Sequence, residues 1–177
     1  MKKIGSFAGV VLLVSLCVSF SQATVLNFEG LDSNVALPSN YAGLTLDSAW
    51  ISWDSGSSSD YPSLSQSNVI YSHNYGGWID FGQDVTFQGS WVASGDMDQT
   101  MWWEGYNDGQ LVGTSEVLSG GDKKFVAVDW TVDYVKFVSS SYNHFVLDDI
   151  TYEKKTAIPE PASLLLLGLG LLGRSRR

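Results

Sequence analysis

Two adjacent tryptophans and a nearby tyrosine are the residues of this chain whose types and spacing best suit ligand binding. Trp102 and Trp103 fall in a stretch whose composition predicts a β-strand, and Tyr106 follows three residues later. Successive side chains of a strand point to opposite faces, so only one of the two tryptophans can point into a core. The other ring, with acceptors such as Glu104 beside it, could stack on the apolar face of a sugar. We therefore expect a carbohydrate site at Trp102 or Trp103 with Tyr106, unless a loop such as residues 55–65 covers the outer ring.

Carboxylates near the two ends of the predicted domain form a second candidate site. Glu29 lies in the opening stretch LNFEGLD, and Asp148 and Asp149 lie in the closing stretch FVLDDITYE. In jelly-roll sandwiches the first and last strands are neighbours, which would bring these carboxylates together. Carboxylates that close repel one another unless a cation joins them, and calcium prefers oxygen ligands. The pattern predicts a structural Ca²⁺ at these three residues; the alternative is that the aspartates form a solvated strand end or a bulge.

The sequence contains no recognisable catalytic motif. It has no G-x-S-x-G elbow, no H-E-x-x-H and no P-loop, and His73 and His144 occur in polar, loop-like stretches. With nineteen acidic residues, some carboxylate pair will match the spacing of a glycosidase by chance. We therefore expect no catalytic residue and no enzyme activity, with a secreted glycoside hydrolase as the remote alternative.

The elements that would position these residues are short strands. No 3.6-residue periodicity is sustained, whereas runs rich in Val, Phe, Trp, Tyr and Thr alternate with clusters of Gly, Asn, Asp and Ser. That pattern is typical of an all-β sandwich, and about ten strands suit two packed sheets. The predicted strands are 25–29, 44–51, 69–72, 77–81, 85–93, 100–106, 110–118, 124–130, 134–139 and 145–152.

Two local patterns predict how particular strands are oriented. In DVTFQGSWVA, alternation places Val85, Phe87 and Trp91 together on one buried face. In YNDGQ, residues 107–109 are Asn-Asp-Gly, which tolerate the positive φ of a tight hairpin turn. The strand that carries Trp102 and Trp103 should therefore be the first strand of a hairpin.

The first 23 residues resemble an export signal. Lys2 and Lys3 precede an apolar run over residues 7–20, and Ser21-Gln22-Ala23 supplies the small residues that signal peptidase requires. The apolar run is shorter than the roughly 20 residues that span a bilayer, so a permanent anchor is the weaker interpretation. We expect signal peptidase to cut after Ala23 and the protein to be exported.

Charge and cysteine content limit the function of the exported body. Cys17, the only cysteine, leaves with the signal, so the body has no disulfide and no cysteine ligand. Five of the ten basic residues lie in the two ends, whereas residues 29–160 hold all nineteen acidic ones, a net charge of −14. Such a surface repels nucleic acid, so we expect no nucleic-acid partner.

The C-terminal tail has three parts in a fixed order. Pro159-Glu160-Pro161 precedes a twelve-residue apolar run, residues 162–173, and Arg174, Arg176 and Arg177 follow it. As a helix the run would be about 18 Å long, against a hydrocarbon core of about 30 Å, and the arginines would stay cytoplasmic. The prolines keep the junction extended and accessible to a processing enzyme.

This tail resembles the PEP-CTERM sorting signal. The resemblance implies that the membrane enzyme exosortase recognises and removes the tail, in Gram-negative bacteria that make extracellular polysaccharide. It also implies transient anchoring in the inner membrane by the apolar helix, followed by a location at the cell surface or outside the cell. The predicted organisation is thus a signal peptide over 1–23, a β-sandwich over 24–156 and a sorting signal over 157–177.

The body also resembles a jelly-roll-like sandwich domain found in PEP-CTERM proteins, through the pieces NFEGL, YAGLTL, WEGYNDGQLVGT and FVLDDITYE. That resemblance implies a fold and a location more than an activity. We expect a non-enzymatic structural or adhesive protein of an exopolysaccharide or biofilm matrix. The alternative is a carbohydrate-binding module with a structural calcium, for which extracellular polysaccharide would be the partner.

Overall fold

A computed structural model of the chain describes residues 22–54, 68–95, 97–142 and 144–155. Within these ranges the chain forms eleven strands and no helix, so the all-β prediction is confirmed. The strands are β1 Ala23–Leu26, β2 Asn40–Tyr41, β3 Leu44–Leu46, β4 Trp50–Asp54, β5 Asn68–Ser72, β6 Gly76–Ser94, β7 Thr100–Asn107, β8 Gln110–Thr114, β9 Leu118–Ser119, β10 Lys123–Ser139 and β11 Phe145–Lys154.

All eleven strands belong to one hydrogen-bonded sheet, not to the two separate sheets that the sequence suggested. The main order is β4-β5-β11-β6-β10-β7-β8, and β1, β2, β3 and β9 pair at the sides of this path. The sheet nevertheless folds over itself. Trp103 of β7 packs on Phe87 of β6, with ring centroids 5.2 Å apart, although these stretches share no ladder. The fold is therefore sandwich-like, with a core between parts of a single sheet.

The folding-over depends on two strands that are much longer than predicted. Residues 77–81 and 85–93 belong to one strand, β6, and residues 124–130 and 134–139 belong to one strand, β10. The ladder between β6 and β10 shifts register at residues 127–130 and 132–134. At the second shift, residues 81–84 of β6 lie opposite Asp133 alone. Such irregularities bend the strands, so each long strand serves both sides of the core.

Three smaller corrections concern other strands. The predicted strand 44–51 is divided into β3 and β4 by a turn, and 110–118 is divided into β8 and β9. The short strand β2 was not predicted. The hairpin between β7 and β8 was predicted correctly, with Asp108 at φ 49° and Gly109 at φ 73° in its turn.

The predicted alternation in β6 fails at Gly89. Val85 and Phe87 are fully buried as expected, but Trp91 is only half-buried and Ser90 is buried in its place. Gly89 has φ 125°, and a Cβ there would overlap the carbonyl of Val126. This positive φ reverses the faces of the residues that follow, because the two-residue alternation is broken by one step.

The main core is one cluster of large apolar side chains from both sides of the folded sheet. Its largest fully buried members are Trp50, Trp103, Tyr152, Phe28, Phe87, Phe137 and Phe145. A smaller cluster of Val69, Tyr71, Ala93 and Val146 lies apart from it, and all five residues of β5 are buried. These contacts lie within a compact unit spanning residues 21–157.

The predicted signal peptide and sorting helix lie outside the described residues, and so does the loop 55–65. Ala23, the predicted cleavage position, is the first residue of β1. In the part of the chain that the structure describes, no helix has the length and apolar character needed to cross a membrane.

Candidate functional site: an aromatic face of the sheet

The two predicted sugar-stacking tryptophans point to opposite faces of β7, the first strand of the hairpin. Trp103 is 0% exposed and its indole Nε1 donates to Ser90 Oγ at 3.0 Å inside the core. A ring without exposed surface cannot stack on a sugar, so the assignment of Trp103 as a binding residue is wrong. Trp102 and Tyr106 lie together on the opposite, half-exposed face of β7. The prediction that the adjacent tryptophans face opposite ways is confirmed.

Glu104 lies between Trp102 and Tyr106 and holds both. Its Oε1 accepts from the indole Nε1 of Trp102 at 3.1 Å, and its Oε2 accepts from the Tyr106 hydroxyl at 2.8 Å. The hydrogen bond to the carboxylate raises the pKa of Tyr106 above its ordinary value, with smaller contributions from burial and the charge of Glu104. One carboxylate therefore orients two aromatic rings on the same face.

The neighbouring strands extend this surface with residues far away in sequence. Tyr134 of β10 lies directly opposite Tyr106, and the two rings meet edge to face at 5.6 Å. Trp78 of β6 stacks on Tyr134 at 5.8 Å with an interplanar angle of 26°. We call the outer surface formed by Trp78, Trp102, Tyr106 and Tyr134 the aromatic face.

Two shallow cavities lie on this surface, and the Trp78–Tyr134 stack contributes one ring to each. The first has a volume of about 330 Å³ and is lined by Asp80, Tyr106, Gly109, Asp133 and Tyr134. The second has a volume of about 390 Å³ and is lined by Asp47, Asn74, Tyr75, Gly76, Gly77, Trp78, Lys136 and Val138. The surface can thus contact a ligand longer than a single ring.

The charges around the aromatic face are mostly negative. Burial raises the pKa of Tyr134, and so do the charges of Asp47, Asp80 and Glu104 and the neighbouring Tyr106. Lys136 lies opposite both Glu104 and Trp78 in the ladders and is the basic residue at the second cavity. Acceptors therefore outnumber donors around these rings.

The tip of the hairpin is attached to the bends of the long strands. Asn107 Nδ2 donates to Asp84 Oδ1 at 3.0 Å, and the backbone N–H of Asp108 donates to Asp133 Oδ2 at 3.1 Å. Asp84 lies in the irregular part of β6, and Asp133 lies at the register shift of β10. These contacts fix one end of the aromatic face without contributions from Trp102 or Trp78.

Two of the predicted calcium ligands, Asp148 and Asp149, lie on β11, and the third, Glu29, comes shortly after the neighbouring strand β1. β1 pairs antiparallel with β11, from Ala23 opposite Glu153 to Leu26 opposite Ile150. Glu29 follows β1 and its Oε1 accepts from the backbone N–H of Asn68 at 3.3 Å. Asp148 is 0% exposed and its Oδ1 accepts from the N–H of Asp149, a residue with φ 45°. The juxtaposition of first and last strands is as expected, and calcium binding itself stays a prediction.

Among the described residues, no group of three or more His, Cys, Asp or Glu side chains is arranged to hold a metal ion. His73 and His144 are both exposed, and His73 lies in the bend after β5. Neither histidine is part of the aromatic face.

Sequence patterns could not have found half of the aromatic face. Trp78 and Tyr134 are 56 positions apart and meet only because β6 and β10 pair. The one local signal was alternation within the predicted strand 77–81, which places Trp78 and Asp80 on the same side. The partner strand could not be deduced from that alternation.

Comparison with known proteins identifies the tail. Residues 157–177 match the family model of the PEP-CTERM protein-sorting motif, as the sequence predicted. The chain thus carries the C-terminal motif of exported proteins that are targeted to exosortase. The match spans the tail alone; no curated protein and no solved structure matches the chain.

Proposed function

We propose that this exported protein is a non-enzymatic adhesive component of the extracellular matrix, which binds polysaccharide through its aromatic face. The observation that carries the proposal is the alignment of Trp78, Trp102, Tyr106 and Tyr134 on one outer face of β6, β7 and β10. Exosortase would release the body from its transient membrane anchor, and the body would then attach to polysaccharide at the cell surface.

The chemistry of the aromatic face suits sugars. An indole or phenol ring packs well against the C–H face of a pyranose, and the surrounding acceptors can bind its hydroxyls. Glu104 keeps Trp102 and Tyr106 in place before any ligand arrives. Since little side-chain freedom is then lost on binding, the affinity benefits from preorganisation.

The same hydrogen bonds favour binding over hydrolysis. A glycosidase needs one carboxyl group to protonate the leaving oxygen and a second to act as base or nucleophile. Both oxygens of Glu104 already accept hydrogen bonds from Trp102 and Tyr106. Glu104 therefore acts as a positioning residue, and turnover of a matrix polysaccharide by the purified protein would overturn this part of the proposal.

A glycan array tests the proposal. The body, residues 24–156, is screened as wild type, as Trp102→Ala and as the matched control Trp91→Ala, with calcium and with a chelator. Trp91 is also half-buried on β6, but it packs on Phe125 and does not belong to the aromatic face. We expect saturable binding to at least one glycan, weakened about tenfold or more by Trp102→Ala and unchanged by Trp91→Ala.

Three outcomes of the array would change the account. If no glycan binds under any condition, the protein is a matrix component without a carbohydrate site. If both tryptophan variants lose binding equally, the aromatic face is the wrong location. If the wild type binds with calcium but not with the chelator, the result would support the predicted calcium at Glu29, Asp148 and Asp149. The direct measurement of that calcium is a melting temperature that depends on the calcium concentration.

A further inference from the structure

The first cavity of the aromatic face has a chemistry that a neutral sugar alone does not explain. It lies where the tip of the β7–β8 hairpin meets the irregular parts of β6 and β10. Its lining combines two carboxylates, Asp80 and Asp133, with two phenol rings, Tyr106 and Tyr134. A site for hydroxyl groups needs acceptors, but it does not need two full negative charges beside ring faces.

Both carboxylates are held in place by backbone donors. Asp80 Oδ1 accepts from the N–H of Gly82 at 2.7 Å, and Asp133 Oδ2 accepts from the N–H of Asp108 at 3.1 Å. In neither case does the second oxygen form a hydrogen bond or an ion pair with another described residue. Each aspartate therefore offers one fixed oxygen to a ligand.

The potential in this cavity is negative. Among the described residues no lysine or arginine lines it; Lys136 lines the second cavity instead, and Lys155 lies 3.9 Å from Asp84. Asp47, in the segment before β4, and Glu104, on β7, add their negative charges. Burial raises the pKa of Tyr134, and the charges of Asp47, Asp80 and Glu104 raise it further. A positive group entering the cavity would be attracted from several sides.

Aromatic walls distinguish an organic cation from a metal ion. Calcium takes six to eight oxygen ligands, whereas this cavity offers two carboxylates and two ring surfaces. An ammonium group uses both kinds of wall, because it donates hydrogen bonds to carboxylates and is attracted to the face of an aromatic ring. A cavity of about 330 Å³ holds the sugar ring that carries the amine.

We propose that this cavity binds the protonated amine of an amino sugar, so that the protein prefers polysaccharides with free amino groups. The inference rests on the proposed function, since the rest of the glycan would lie on Trp78 and Trp102. Asp80 and Asp133 would contact the ammonium group, and Tyr106 and Tyr134 would enclose the carbon that bears it. Binding of a protonated amine also suits a body whose negative net charge repels acidic polysaccharides.

The test compares two oligosaccharides of equal length, one of glucosamine and one of N-acetylglucosamine, by calorimetric titration of the full chain in mild detergent. The variants are Asp80→Asn and Asp133→Asn, which keep a side-chain oxygen for the backbone donor. The matched control is Asp122→Asn, since Asp122 Oδ2 likewise accepts from a backbone N–H, that of Ser119, but lies outside the cavity. Circular dichroism checks that all three variants fold.

We expect the glucosamine oligomer to bind about three- to tenfold more tightly than the acetylated one, with a preference that falls as salt is raised. Asp80→Asn and Asp133→Asn should remove most of that preference, because they should weaken binding of the glucosamine oligomer more than binding of the acetylated one. Asp122→Asn should keep the preference.

The two proposals fail in different ways. Equal affinity of the wild type for both oligomers, or a preference that survives both cavity variants, overturns the amine site and leaves carbohydrate binding intact. If neither these oligomers nor any glycan of the array binds, carbohydrate binding and the amine site are both wrong.

Discussion

The two faces of β7 carry the same kinds of side chain and use them differently. On the inner face, Trp103 packs edge to face on Phe87 and Phe137, with ring centroids 5.2 and 5.0 Å away. On the outer face, Trp102 and Tyr106 are half-exposed and both donate to Glu104. Aromatic content alone therefore does not distinguish a core from a binding surface in this protein.

The difference lies in what satisfies the polar end of each ring. The indole N–H of Trp103 donates to the hydroxyl of Ser90, a neutral group that can be buried at low cost once hydrogen-bonded. On the outer face, Trp102 and Tyr106 donate to the carboxylate of Glu104, a charged group that is costly to remove from water. Within β7, the charged partner thus marks the two rings that remain available to a ligand, Trp102 and Tyr106.

Replacing Trp103, the ring on the inner face, should lower the free energy of unfolding much more than replacing Trp102 on the outer face. Trp103→Ala should lower the free energy of unfolding by about 3–5 kcal/mol, since it opens a large cavity and leaves the Ser90 hydroxyl without its donor. Trp102→Ala should cost about 1 kcal/mol or less, because its ring is half-exposed. Urea unfolding followed by circular dichroism measures both.

Equal losses for Trp102→Ala and Trp103→Ala would show that the outer ring also stabilises the fold. In that case the reduced glycan binding expected of Trp102→Ala could not be attributed to the aromatic face. Serine at position 90 offers a second check: Ser90→Ala should destabilise the protein by less than Trp103→Ala, because the ring itself remains.

Adding a methyl group at Gly105, where the inner face of β7 is tightly packed, should lower the stability by an intermediate amount. A Cβ at Gly105 would lie 2.6 Å from Trp130 Cε3 and 3.0 Å from Val132 Cγ1. Gly105→Ala should therefore cost about 1–3 kcal/mol through overpacking. The control is Thr114→Ala on the exposed surface of β8, which should cost under about 0.5 kcal/mol; similar melting temperatures for the two variants would contradict the tight packing of Trp130.

The smallest change in stability should follow removal of the charge of Glu104 on the outer face. Glu104→Gln keeps one of the two acceptor oxygens but removes the charge, so the pKa of Tyr106 should fall towards its ordinary value of 10.0. Because folding raises this pKa, the hydrogen bond contributes its full stability below about pH 10 and loses it as pH rises through the higher folded value. The variant should therefore lose less stability above pH 10 than the wild type.

Absorbance titration of the phenols and urea unfolding at several alkaline pH values measure these changes. Glu116→Gln is the matched control, since Glu116 pairs with Lys124 at 2.8 Å and, among the described residues, forms no hydrogen bond with a tyrosine. A pKa of Tyr106 that does not move in Glu104→Gln would show that the hydrogen bond is absent in solution.

Local patterns predicted much of the secondary structure and little of its assembly. Composition and alternation located the hairpin and the opposite orientations of Trp102 and Trp103, because those properties depend on neighbouring residues. The continuity of β6 through Gly82 and the reversal at Gly89 depend on pairing with β10, which no local pattern specifies. The same limit hid Trp78 and Tyr134, which join the aromatic face only through that pairing.

The difference between the inner and outer faces of β7 is tested most directly by following the NMR signals of the indole N–H groups while an oligosaccharide is added. The seven tryptophans give seven such signals, which single substitutions can assign. With the tightest-binding oligosaccharide of the array, the signals of Trp78 and Trp102 should shift, while those of Trp50 and Trp103 should stay in place. Shifts at Trp50 or Trp103 with none at Trp78 and Trp102 would contradict the assignment of the outer face as the binding surface.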